Sequence, residues 1–122
     1  MLQDSDVHTA RPDDDKWMAQ IRRGALELCV LALLARRRRY GYDLVQALTH
    51  LQGLVLKEGT IYPLLNRLQG EGLVKSEWQP SPEGPARRYY TLTSEGEARL
   101  AAMREQWSGF TSEVETILEE DA

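Results

Sequence analysis

The spacing of apolar residues changes period twice along the chain, from helical to alternating and back to helical. Residues 1–14 are rich in Asp and show no apolar period, which predicts a disordered acidic arm. From an N-cap at Asp15, "KWMAQIRRGALELCVLALLARR" predicts a long helix that is apolar around nearly its whole circumference between Leu26 and Leu34. Such a helix is buried on more than one side, with one side for its own core and another for a second surface. "YGYDLVQALTHL" predicts a short amphipathic helix with Leu44, Val45, Leu48 and Leu51 inward, after a turn at Gly41. A third helix follows in "EGTIYPLLNRLQGEG", where Ile61, Leu64, Leu65 and Leu68 form the stripe and Thr60, Pro63, Asn66 and Arg67 are left off it.

"GLVKSEWQP" then alternates, and "RRYYTLT" is aromatic and β-branched, so both predict strands, with "PSPEGPA" as the tip between them. A last helix opens at Ser94, with Glu97 three residues on in a capping-box pattern, and runs to about Glu119. Its apolar residues Leu100, Met103, Trp107, Phe110, Val114 and Ile117 are spaced 3, 4, 3, 4, 3. That narrow heptad seam suits a partner helix, most simply the same helix of a second copy; packing on the first helix of the same chain is the other reading, and the two are compatible.

Three helices followed by a hairpin make a mainly α fold with a small β-hairpin, a winged helix-turn-helix flanked by N-terminal and C-terminal dimerisation helices. The boundaries read as an arm over 1–14, a winged-helix domain over 15–93 and a dimerisation helix over 94–122. The third helix is unusual in its Gly and Pro content. In this architecture that helix enters a groove of DNA, so Gly59 would permit close backbone approach and Pro63 would cost little in a first turn. Gly70 and Gly72 would stop the helix.

Composition narrows the function classes. The 122-residue chain is 42% apolar and 28% charged, which fits one globular domain. No apolar run has the length of a membrane span and the start lacks a secretory pattern, so a cytoplasmic protein with no membrane partner is expected. Cys29 reads as a small buried hydrophobe rather than a redox group. His8 and His50 stand alone, so neither catalytic residues, a metal site nor a cofactor is expected. The net charge of −4 argues against nucleic acid until its distribution is considered. Residues 16–90 hold twelve Lys and Arg against six acids, between acidic ends. An anionic partner would therefore meet the middle of the chain.

"RRGALELCVLALL", "YGYDLVQAL", "EGTIYPLLNRLQGEGLV", "GPARRYYTLTSEG" and the Trp of "REQWSGF" together resemble the PadR family of bacterial transcriptional regulators, in its short form with one C-terminal helix. The resemblance spans about residues 20–110. It implies a homodimer that reads double-stranded DNA, usually a repressor released by a small molecule. The chain departs from the pattern at Lys57, where Ser or Thr would cap the third helix, and in its longer Asp-rich arm.

The candidate DNA contacts are Thr60, Asn66 and Arg67 on the third helix, with Pro63 on the same helix and Lys57 before it as a phosphate-seeking charge. A solvated helix face is the alternative. Tyr62 either packs beneath the helix or offers its hydroxyl to a phosphate; Tyr40 and Tyr42 match a family backbone-contacting position, with a buried ring as the rival. Arg87 and Arg88 follow the hairpin tip, and strand alternation turns one of them away. Arg36 to Arg39 are explained by the dipole of the preceding helix as well as by DNA. Trp17 and Ile21 join the heptad residues in the expected dimer surface. Trp107 and Met18 are candidates for holding a small aromatic effector, with a dimer-core indole as the alternative. Trp78 is expected to brace the wing. Two rival readings remain: a winged-helix protein-interaction module, and an aromatic-ligand-binding protein without a regulatory role.

Overall fold

The computed structural model describes residues 12–49 and 58–119. Helix α1 spans Pro12–Arg36, strand β1 Arg39–Tyr40, α2 Gly41–Thr49, α3 Glu58–Gly70, β2 Val74–Ser81, β3 Gly84–Leu92 and α4 Ser94–Glu119. Helix α1 begins at Pro12, three residues ahead of the expected cap, because a proline in the first turn forfeits no intrahelical hydrogen bond. The expected arm therefore loses its last residues to the helix. The rest of the arm, His8, and the connection that carries His50, Leu51 and Lys57 lie outside the described residues.

The core forms where the apolar stripes of the three-helix unit meet the sheet. Leu26, Val30, Leu31 and Leu34 of α1 pack with Leu44, Val45 and Leu48 of α2 and with Ile61, Leu65 and Leu68 of α3. Leu73, Val74, Tyr90 and Leu100 close it, so strands and last helix share one interior with the helical unit. Leu28, Cys29, Ala32 and Leu33, on the remaining faces of α1, are partly buried against it.

The sheet has three strands in the order β1-β3-β2, both pairs antiparallel. Strand β1 was not expected. It is two residues long, pairing Arg39 with Tyr90 and Tyr40 with Tyr89, and its basic sequence carries no alternation to betray it. Arg39 is drawn inward. Its Nε donates to the carbonyl of Leu33 at 3.2 Å, serving an orphan acceptor in the last turn of α1, and its Nη1 lies 3.6 Å from Asp43. Burial and the neighbouring Arg37 lower the pKa of the Arg39 guanidinium, and Asp43 opposes that shift.

Helix α3 ends in a Schellman motif. The amide of Leu73 donates to the Leu68 carbonyl at 2.9 Å and that of Gly72 to Gln69 at 3.0 Å, with Gly72 at φ 78°. Gly72 alone carries the left-handed turn; Gly70 is ordinary helix with open space around it. The expected cap is displaced by one residue, and with Gly96 in the third position it has no side chain to complete a box. Thr93 caps α4, its Oγ1 accepting from the Gly96 amide at 3.0 Å and donating to the Gly72 carbonyl at 2.6 Å. One hydroxyl thus ties the start of α4 to the end of α3.

Candidate nucleic-acid interface

Helix α3 buries Ile61, Leu65 and Leu68 completely, which fixes its rotation. At 100° per residue, the direction opposite that stripe belongs to Gly59, Pro63 and Asn66, all exposed; because α3 already starts at Glu58, Pro63 stands inside the helix and not in its first turn as expected. Thr60 and Arg67 lie on the flank toward α1; Tyr62 and Gln69 lie on the flank toward the wing. The side chain of Tyr62 lies against Gly41, where an added Cβ would collide with the phenol ring, while 39% of the residue remains exposed. Tyr62 therefore both packs on the start of α2 and keeps a face to solvent.

Arg67 is exposed, yet it is engaged within the chain. Its Nη2 lies 2.9 Å from Glu27 of α1 and its Nη1 3.0 Å from Glu71. These hydrogen bonds, with Glu27 foremost, raise its pKa. The sequence leaves Arg67 pointing freely outward; the structure turns it sideways toward a carboxylate forty residues earlier in the chain.

The two wing arginines separate as strand alternation requires. Arg87 is exposed and stacks over the Tyr40 ring at 4.6 Å. Arg88 faces inward: its Nε donates to Ser76 Oγ at 2.9 Å and its Nη2 to Gln69 Oε1 at 3.2 Å. Because Gln69 is on α3, Arg88 holds the wing to that helix, a role the sequence reading did not give it. Tyr40 stacks with Tyr42 at 6.4 Å and meets Tyr89 edge-on at 5.4 Å, so it is partly packed, while Tyr42 is 51% exposed. Arg38 lies over Tyr89 at 4.8 Å.

Between α3 and the wing runs a groove of about 460 Å³, walled by Tyr62 and Asn66 on one side and Trp78, Arg87 and Arg88 on the other. Trp78 is 65% exposed. It does not brace the wing from within: it lines the groove opposite Tyr62 and Asn66 of α3.

The heptad seam of α4 divides. Leu100 is buried in the core of its own chain, which withdraws it from the expected dimer surface, while Met103 packs only partly against that core. Trp107, Phe110 and Ile117 remain 44%, 59% and 70% exposed. Beside them, Trp17 and Ile21 of α1 are 62% and 38% exposed. Trp17, Ile21, Trp107, Phe110 and Val114 wall a cleft of about 540 Å³ within one chain. Met18, expected in the same place, does not line it. Among the described residues no group of three or more His, Cys, Asp and Glu could hold a metal ion, and no helix is long and apolar enough to cross a membrane.

A three-helix unit with a β-hairpin wing, a polar outer face on its third helix and a basic wing defines the winged-helix class. Residues 30–102 match the family described as "Transcriptional regulator PadR-like family". A transcriptional regulator of Mycobacterium tuberculosis is 36% identical over 97 residues, covering 80% of this chain and 89% of its own. The crystal structure of a PadR family transcriptional regulator from Eggerthella lenta superposes with a TM-score of 0.78 at 36% identity, over 87% of this chain and 92% of that one. Bacillus subtilis PadR, solved in complex with operator DNA, superposes with a TM-score of 0.60 at 27% identity, over 65% of this chain and 46% of that one. The chain belongs to the PadR-like family of transcriptional regulators.

Proposed function

We propose that the protein is a cytoplasmic, homodimeric DNA-binding repressor, whose two α3 helices dock in successive major grooves of a pseudo-palindromic operator. The observation that carries this reading is the outer face of α3. Gly59, Pro63 and Asn66 stand exposed opposite a fully buried stripe, with the cationic wing held alongside by the Arg88–Gln69 contact. Asn66 presents an amide able to pair with an adenine edge, and Arg87 presents charge to a phosphate. That Bacillus subtilis PadR has been solved with operator DNA supports the same reading.

The dimer reading draws support from the apolar strip along α1 and α4, where Trp17, Trp107, Phe110 and Ile117 are large, adjacent in the fold and uncovered. A second copy crossing there would bury that strip and set the spacing between the two α3 helices. The cleft between Trp17 and Trp107 supports a planar aromatic effector as the releasing signal, since two indoles can sandwich a ring.

The test is selection of duplexes retained by the purified protein from a random pool, together with its mass in solution. One enriched inverted repeat with half-sites about 10 base pairs apart, bound by a species of twice the chain mass, is expected. Retention of no duplex in dilute salt would overturn the DNA reading and favour a protein-interaction module. Tryptophan quenching by planar compounds without release of any duplex would favour the plain ligand-binding reading.

A further inference from the structure

Strand β2 presents Val74, Ser76 and Trp78 on one face, and their partners across the hairpin are Leu92, Tyr90 and Arg88. At the base of the hairpin that face is core: Val74 is 2% and Tyr90 1% exposed. One step outward, Ser76 is bonded to Gln69 of α3 and to Arg88. A further step outward stands Trp78, with 65% of its surface open to solvent. The register shift between Gln79 and Ser81 follows directly, and such an irregularity increases strand twist and re-aims neighbouring side chains. The same face thus passes from core to groove wall within five residues, and its last position is filled by the largest apolar side chain available.

We infer that Trp78 is a DNA-contacting residue that packs its indole against the sugar–phosphate strand running between α3 and the wing. This rests on the reading that the chain binds duplex DNA. The chemistry of the groove selects a nucleic-acid backbone. Arg87 supplies an exposed guanidinium, Arg88 still has donors beyond the two committed to Ser76 and Gln69, and Asn66 and Tyr62 line the opposite wall. An indole adds a flat apolar face for a deoxyribose and a single N–H donor that suits a phosphate or sugar oxygen. Trp78 thus sets a broad apolar face beside the two arginines of the groove.

The test uses the full chain and the duplex that the wild type enriches, with Trp78→Ala, Trp78→Phe and Arg87→Ala titrated over a range of salt. Trp78→Ala is expected to bind about tenfold more weakly, a loss of the order of one aromatic–nucleotide contact, with an unchanged dependence of log affinity on log salt and an unchanged melting temperature. Trp78→Phe should recover most of the affinity, and Arg87→Ala should flatten the salt dependence. Binding of Trp78→Ala within twofold of wild type, while Arg87→Ala is weakened, would overturn the role of Trp78 and leave the DNA reading standing. A fall in melting temperature that accounts for the weakening would overturn it in favour of a structural role. A wild type that enriches no duplex, and binds an acidic polypeptide such as polyglutamate through this groove instead, would overturn both.

Discussion

Glu27 Oε1 on α1 lies 2.9 Å from Nη2 of Arg67 on α3, and this ion pair ties α1 to the flank of the helix whose outer face is open. The other oxygen of the same carboxylate lies 3.2 Å from Arg99 of α4. One half-buried acid therefore holds a cation from α3 and a cation from α4, the element whose apolar strip is open to a second copy. Glu27→Gln should cost under about 1 kcal/mol of stability, because both arginines are substantially solvated. With that acid neutralised, Arg67 is available to a phosphate, and the slope of log affinity against log salt should steepen by about one unit. Calorimetric unfolding and a salt titration of duplex binding measure the two effects. An unchanged slope would mean that Glu71, 3.0 Å from Arg67, is sufficient to retain it.

Arg87 and Arg88 should fail in different ways despite being neighbours. Arg87→Ala removes an exposed charge stacked on Tyr40, so the expected loss is one phosphate's share of the salt dependence with little change in stability. Arg88→Ala removes a hydrogen bond across the hairpin to Ser76 and one from the wing to Gln69 of α3, and about 1–2 kcal/mol of stability should go with them. Duplex binding should weaken in both variants, but only Arg88→Ala should also increase hydrogen exchange along β2. Identical melting temperatures for the two variants would contradict this division.

Three glycines that look alike in the sequence should respond differently to alanine. A Cβ on Gly96 would meet the Leu73 carbonyl and crowd Leu92, so Gly96→Ala should destabilise by about 1–3 kcal/mol. Gly72→Ala places a side chain at φ 78° and should cost about 1–2 kcal/mol. Gly70 has open space around it, so Gly70→Ala should stabilise by about 0.5–1 kcal/mol. Denaturant titration of the three variants should give that order.

The differences among these residues show where the sequence was informative. Residues whose position depends on periodicity were legible: of the stripe Ile61, Leu64, Leu65 and Leu68, all but the partly buried Leu64 are wholly buried. Residues whose role depends on a distant partner were not. Nothing near Arg67 in the chain points to Glu27, and the choice between Arg87 and Arg88 is made by hairpin register, which pairs Arg88 with Trp78. The cap of α4, expected at Ser94, falls on Thr93 because the backbone places the Thr93 hydroxyl beside Gly72, a contact with no local signal. Strand β1 is too short to leave a pattern. Trp78 shares the parity of Val74 and so reads as inward-facing, but alternation does not reveal that along this face the core gives way to an open groove.

Cys29 should behave as a packing group. It is partly buried against the core, and desolvation raises the pKa of its thiol above the ordinary value of 9.0. The sign follows directly: the unfolded chain loses this proton first, so the contribution to stability is full below about pH 9 and declines as pH rises above it. At pH 8 an alkylating reagent should modify Cys29 several-fold more slowly in the native protein than in denaturant. Equal rates in the two states would place the thiol in a far more open setting.

Leu100 and Val114 occupy the same apolar seam of α4 by spacing, and substitutions at the two should separate folding from association. Leu100 is 7% exposed among side chains of its own chain, so Leu100→Ala should lower stability by about 2–5 kcal/mol. Val114 borders the Trp17–Trp107 cleft, beyond the buried core, where a second copy would cover it. Val114→Asp would bury an unpaired carboxylate in that contact and should give a folded species of single-chain mass. Duplex affinity should then fall steeply, since two half-sites could no longer be bound together. Sedimentation equilibrium and far-ultraviolet circular dichroism, measured over the same range of protein concentration, distinguish loss of association from loss of fold. A Val114→Asp variant that keeps twice the chain mass would move the contact between copies away from this seam.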